Sequence, residues 1–144
     1  MNSLNAGYSG TPLAKKLGIK PGGKVTLINP PSEYLQWLHP IPDGVVFAST
    51  VGTDVAVVHL FTVDRNELSG WLEQLRSEIN PDATVWVSWP KKASRVPTTV
   101  SEETIRELGL PIGFVDVKVC AVSDIWSGLK LVVRKELRVA LPQG

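Results

Sequence analysis

The chain has 144 residues, a formal net charge of +1, and 43% hydrophobic against 20% charged residues. At that length roughly 68–70% of the unfolded surface can be buried, so one core is affordable without a disulfide or metal staple, and the balance excludes a disordered chain. Near-neutrality supplies no broad basic field, which argues against nucleic acid as a partner unless a local patch recruits it.

In chain order, Thr11-Pro12-Leu13-Ala14-Lys15-Lys16-Leu17-Gly18 reads as a short helix. Thr11 is the expected cap, Pro12 suits the first turn, and Gly18 permits a left-handed stop. After the turn Lys20-Pro21-Gly22-Gly23, the segment Lys24–Asn29 is a strand apolar on both faces, hence central. Pro30-Pro31-Ser32 breaks it and opens a helix through Tyr34, Leu35 and Trp37, which Pro40 ends. A weaker strand, Val45–Ala48, precedes the clearest one, Val55–Phe61, whose apolar residues on both faces fit a parallel strand covered from two sides.

Leu68, Trp71, Leu72, Leu75 and Ile79 fall at helical spacing, with Asp64 and Glu67 placed as a capping-box variant at the start. Asn80-Pro81-Asp82 stops that helix, and Ala83–Trp89 follows as a strand. Beyond the loop Pro90–Thr98, a short helix spans Ser101–Leu108, with Thr99 and Glu102 as its expected capping box. Phe114–Val122 and Leu129–Leu137 close the chain as a hairpin with a mostly polar outer face, joined through Ser123–Gly128. Val115, Val117, Val119 and Ala121 should share one face of its first strand.

The expectation is therefore one α/β domain over 1–144, with a short helix and turn at 1–23, a sheet-and-helix core at 24–137 and a tail at 138–144. Its mostly parallel, Rossmann-like sheet ends in an antiparallel hairpin. The order resembles the class I methyltransferase-like variant of that fold, shortened by one strand-helix pair. Cys120 is the only cysteine, which fits a reducing compartment. Met1-Asn2-Ser3-Leu4-Asn5 does not read as a signal peptide, and the longest mostly apolar run, Val55–Val63, falls well short of the ~20 residues that cross a bilayer. A cytoplasmic protein with no membrane partner is expected.

Three blocks, Ser9–Gly18, Trp89–Ser94, and Val117–Ala121 with Trp126–Leu129, resemble the signature blocks of a small bacterial family defined only as a domain of unknown function. The resemblance covers nearly the whole chain. It implies a cytoplasmic α/β protein and brings no activity, cofactor or catalytic residue with it.

Folds of this order bind nucleotides or S-adenosylmethionine through glycines after the first strand and an acid after the second. Here the first turn reads Ile28-Asn29-Pro30-Pro31 and the second strand ends Ala48-Ser49-Thr50, so no cofactor is expected. The loop Trp89-Pro90-Lys91-Lys92-Ala93-Ser94-Arg95 lies where open α/β sheets bind ligands. A turn carrying Asp124, Trp126 and Ser127 should emerge at the same edge. Trp89, Lys91, Lys92, Ser94, Arg95, Asp124, Trp126 and Ser127 are thus the candidate site for a small anionic or planar ligand, using cation–π and charge-assisted contacts. The competing reading makes those lysines solvated and the tryptophans core.

His39, His59 and Cys120 sit in different elements and form no metal set; His59 reads as a hydrogen-bonded core histidine. Cys120 shares a strand face with charged neighbours and should be partly exposed. Asp64 reads as a helix cap and Asp124 as a turn residue, so no carboxylate pair has a claim to acid–base work and no catalytic residue is named. The leading reading is a non-catalytic domain that binds a small anionic ligand or a protein partner. A divergent transferase working at the same sheet edge is the alternative, and nucleic-acid binding through the basic loop and Lys15-Lys16 is a weaker third.

Overall fold

The computed structural model describes residues 11–138. The start of the first signature block, Ser9-Gly10, and residues 139–144 of the tail lie outside the described residues. Among those described, six strands form one sheet: β1 (Lys24–Ile28), β2 (Val46–Ala48), β3 (Val57–Phe61), β4 (Thr84–Pro90), β5 (Phe114–Ala121) and β6 (Trp126–Val133). Their spatial order is β2-β1-β3-β4-β6-β5. The pairs β1–β2, β1–β3 and β3–β4 are parallel, and β6 runs antiparallel to both β4 and β5. The expected α/β class, the central place of β1 and the closing hairpin are all present.

Four helices accompany the sheet: α1 (Leu13–Lys16), α2 (Tyr34–Leu38), α3 (Arg65–Glu78) and α4 (Glu102–Gly109). Strand alternation divides the core in two. Val58, Leu60, Val85, Val87, Leu129 and Leu131 pack toward α3 and α4, where Leu68, Leu72, Leu75 and Ile105 bury the helical stripes. Val57, Phe61 and Trp86 point to the other side, onto Leu13 of α1, Leu17 at its C-cap, and Tyr34 and Leu38 of α2. The indole of Trp86 donates to the Leu17 carbonyl (2.9 Å), so α1 is fixed by a hydrogen bond as well as by burial.

The link from β2 to β3 contains no helix. Residues 49–56 cross directly, with Val51 and Val55 packed on the α3 side of the sheet. A short segment of bends and one turn, closed by the Val55 N–H donating to the Gly52 carbonyl (3.2 Å), thus does the covering that a strand-helix pair would do in a longer doubly wound sheet.

Several local expectations change. Helix α1 starts at Leu13, with Pro12 and not Thr11 at its cap position. At α4, Ser101 and Thr104 form the capping box, because the Thr99 hydroxyl instead accepts from the Arg65 N–H (2.7 Å). Asp64 does cap α3, accepting from the Glu67 N–H (2.9 Å), but the Glu67 carboxylate turns to the Thr62 hydroxyl (3.0 Å) and does not close a reciprocal box.

Strand β6 begins at Trp126, three residues earlier than expected, and ends at Val133; Lys135–Leu137 is a 3-10 turn. A bulge between Asp116 and Lys118 resets the faces of β5. The single apolar face drawn through Val115, Val117, Val119 and Ala121 is therefore broken, and Val117 and Val119 are half exposed. The same reset, with the packing over Trp86 and Val122, buries Cys120 against expectation.

Candidate functional site

Parallel strands deliver their C-terminal ends to one rim, and the site is built there. β1 ends at Ile28, β3 at Phe61 and β4 at Pro90. Because β6 is antiparallel to β4, its first residue, Trp126, pairs with Pro90, the last of β4. The β5–β6 turn therefore emerges at the same rim, and the backbone N–H of Lys91 donates to the Ile125 carbonyl at 2.8 Å. The basic stretch and the Trp126 turn are joined directly.

Both segments are held by their own hydrogen bonds. Lys92–Ser94 is one 3-10 turn that ends at Arg95 in the left-handed region (φ 63°). The Ser94 hydroxyl donates to the Lys91 carbonyl (2.7 Å) and accepts from the Val96 N–H (3.2 Å), so it shapes the loop and does not face outward as a free donor. Across the gap, the Ser123 hydroxyl accepts from the N–H groups of Ile125 and Trp126 (3.2 and 3.1 Å). Lys92, Arg95 and Asp124 are exposed and Lys91 is half-buried. None of the three cations is in an ion pair among the described residues.

The two tryptophans do not converge. Trp89 pairs with Ser127 and is buried in the core under α3 and α4, whereas Trp126 lies on the opposite face, edge-on to Phe61 at 5.1 Å. Adjacent residues of a strand point to opposite sides, so an offset of one position sends the rings apart. Lys91, Lys92, Arg95, Asp124 and Trp126 remain at the rim as a group. Trp89 belongs to the core, Ser127 is half-buried beside it, and Ser94 is structural.

The strand order reverses between β1 and β3, the position at which open α/β sheets hold ligands. Asn29 stands there in the left-handed region (φ 56°) with its amide directed at the Phe61 carbonyl (3.5 Å). Beside it, the carbonyl of Val63 accepts from the Thr99 N–H and the Thr98 hydroxyl (both 2.9 Å), which pins the 98–100 segment across the end of β3. A cofactor such as S-adenosylmethionine needs backbone N–H donors after β1 and a carboxylate after β2. Pro30 and Pro31 carry no N–H, and Ser49-Thr50 supplies no carboxylate, so the residues present do not fit that cofactor in that manner. Two hollows, of about 590 and 270 Å³, open on the opposite, N-terminal rim, and neither borders Asn29, Pro30, Lys91 or Trp126.

A buried polar chain crosses the sheet below the rim. The Tyr34 hydroxyl lies 2.7 Å from Nδ1 of His59, and Nε2 of His59 lies 2.8 Å from the Ser88 hydroxyl. Burial pulls the imidazole down to about 3, keeping it neutral, and pushes the Tyr34 phenol up. With His59 and Ser88 at 0% and Tyr34 at 1% exposure, no substrate reaches Ser88. The arrangement ties α2, β3 and β4 together and is not a nucleophilic site. The apolar run around His59 marks it as a bonded core histidine but does not name its partners; the lone hydroxyl of Ser88 in Val85-Trp86-Val87-Ser88-Trp89 is the signal the sequence holds.

Burial also raises the Cys120 thiol, which leaves it poorly suited to nucleophilic work. Among the described residues no group of three His, Cys, Asp or Glu side chains could hold a metal ion, and no helix is long and apolar enough to cross a membrane.

No family model matches the chain, and no curated protein matches it. Solved structures do. A Sulfolobus solfataricus protein assigned to the type 11 methyltransferases superposes with a TM-score of 0.60 at 12% identity, covering 92% of this chain and 93% of its own. A SAM-dependent methyltransferase from Aquifex aeolicus gives 0.62 at 13% identity, over 83% of this chain and 87% of its own. The DhpI–SAH complex gives 0.58 at 12% identity, over 90% and 85%. At these identities the likeness establishes the fold: a class I methyltransferase-like Rossmann sheet.

Proposed function

We propose that the chain is a ligand-binding domain on a methyltransferase-type scaffold, which takes a small anionic molecule at the C-terminal rim through Lys91, Lys92 and Arg95 beside Trp126. The observation that carries this reading is the Lys91–Ile125 backbone bond. It brings three cations without ion-pair partners among the described residues next to a half-buried indole, on the rim where sheets of this order bind ligands. Such cations can each contribute charge-assisted hydrogen bonds to phosphate or carboxylate oxygens, and an indole ring offers a planar group a stacking partner.

The test is a thermal-shift panel of nucleotides, sugar phosphates, acyl-coenzyme A and S-adenosylmethionine. A ligand at 100 times its dissociation constant adds about 2.7 kcal/mol of stability. That corresponds to a rise in Tm of roughly 5–10 °C. The shift should vanish in a Lys91→Ala/Lys92→Ala/Arg95→Ala variant. A flat panel defeats the reading.

A second reading, a divergent transferase working at the same rim, is favoured by the fold itself, since two of the similar structures are described as methyltransferases and one is a complex with SAH. Calorimetry with S-adenosylmethionine and its demethylated product separates the two. Saturable binding of both favours the transferase; an anion that shifts Tm while neither cofactor form binds favours the binding domain.

A further inference from the structure

The larger hollow, about 590 Å³, lies at the end of the sheet opposite Lys91 and Trp126. Its walls are the outer side of α1, the turn that leads into β1, and the segment between α2 and β2. Pro12, Pro21, Pro40 and Pro42 line it together with Ile19 and Ile41. The two turns are locked to each other by the Gly22 N–H, which donates to the Asp43 carbonyl at 2.8 Å. Gly22 and Gly44 (both φ 76°) sit in the left-handed region that these turns require.

Such walls are rigid before anything binds. Proline has one backbone dihedral already fixed, so little conformational freedom is lost on occupancy, and affinity gains accordingly. Proline also has no N–H, and Ile19 and Ile41 offer only hydrocarbon, so the body of an occupant must be apolar. The volume falls within the ~300–1,000 Å³ of small-molecule sites.

Charge enters only at the margin. Lys15 and Lys20 border the hollow with one carboxylate, Asp43. Both lysines are exposed, and neither is in an ion pair among the described residues. The imbalance of two cations to one anion is complementary to a single negative charge on an otherwise apolar molecule. We infer that this hollow binds a small apolar monocarboxylate, its hydrocarbon against the prolines and isoleucines and its carboxylate between Lys15 and Lys20. This site is separate from the proposed anion site, which lies across the length of the strands, roughly 17 Å away for five residues.

Decanoate is the probe and decanol its uncharged control, titrated into the full chain while backbone amide shifts are followed by NMR. Saturable decanoate binding should move the amides of Ile19, Lys20 and Ile41, and decanol should bind at least tenfold more weakly. Lys15→Ala/Lys20→Ala should erase that difference, and Ile41→Asp should abolish binding while the Lys91→Ala/Lys92→Ala/Arg95→Ala variant binds decanoate normally. Equal affinity for decanoate and decanol, shifts confined to the other rim, or no binding overturns the proposal. So does decanoate binding seen only after Leu4→Ser/Tyr8→Ser, because the chain's own first ten residues would then be the occupant.

Discussion

Gly128 of β6 lies directly opposite Ser88 of β4, and a Cβ at that glycine would come within 3.2 Å of the Ser88 hydroxyl oxygen. Val122 and Trp86 would stand at 3.2 and 3.3 Å from the same atom. All three neighbours are buried, so none can swing away. Gly128→Ala should therefore destabilise the protein by about 1–2 kcal/mol, overpacking outweighing the entropy that alanine removes from the unfolded chain. Urea denaturation reads the difference directly, and a neutral or stabilising result would mean that the Ser88 side of the core gives way easily.

His59, bonded to that same serine, makes stability depend on acid. Its folded value of about 3 lies below the ordinary 6.5, so the unfolded chain binds the extra proton between those limits. The stabilisation is fully present above about pH 6.5 and is lost as pH falls toward 3, with a slope of up to about 1.4 kcal/mol per pH unit. His59→Gln removes the titrating group, so the gap between wild type and variant should narrow as pH falls from 7 to 4. A gap that stays constant over that range contradicts the assignment.

Removing a single partner of the buried chain should cost more than removing all three. His59→Phe leaves the Tyr34 and Ser88 hydroxyls without their partner, at about 1–3 kcal/mol for each unsatisfied group. Adding Tyr34→Phe and Ser88→Ala to it deletes the stranded hydroxyls and should recover part of the loss. A triple variant less stable than His59→Phe alone would show that packing, not polarity, dominates at this place.

At the C-terminal rim the expected result is a separation of two readouts. Lys91→Ala, Lys92→Ala and Arg95→Ala remove no ion pair among the described residues, and each should stay within about 0.5 kcal/mol of wild type. Ligand-induced stabilisation should nevertheless fall with each substitution. Loss of fold in these variants, measured by circular dichroism, would count against a surface binding role.

Arg106 donates from Nε to Asp116 at 2.8 Å and also contacts Glu102 and Glu103. Its guanidinium holds the Asp116 carboxyl below the usual range. Such a group stabilises the fold at neutral pH and ceases to do so as pH falls through its folded value. Arg106→Gln should raise the Asp116 value toward ordinary aspartate in a carboxyl-carbon NMR titration. An unchanged titration would show that the pair is not formed in solution.

What the sequence disclosed follows from the range of the interactions involved. Valine-rich β3 and β4 and the apolar spacing Leu68–Leu72–Leu75 declare themselves locally, and chain direction alone places the ends of β4 and of the β5–β6 hairpin on a common rim. The faces of Trp89 and Trp126 depend instead on the register between β4 and β6, a non-local quantity in which one position reverses every side chain. Ser127-Gly128 reads locally as a turn, but the approach of Ser88 and Trp86 makes it strand. The Tyr34–His59–Ser88 chain joins residues 25 and 29 positions apart, which no local pattern announces. Thr99 has the spacing of a cap for α4, and only the non-local demand of the Arg65 N–H takes its hydroxyl elsewhere while Ser101 caps the helix.

The bulge in β5 has a bearing on solubility. A straight marginal strand offers a ladder of open donors and acceptors on which a neighbouring molecule can add a strand of its own. Here that ladder is interrupted between Asp116 and Lys118, with the exposed ammonium of Lys118 directly after the interruption, and at the far margin β2 offers only three residues. Neither margin is a good template for accretion, so the half-exposed valines at 117 and 119 can face water without seeding fibrils.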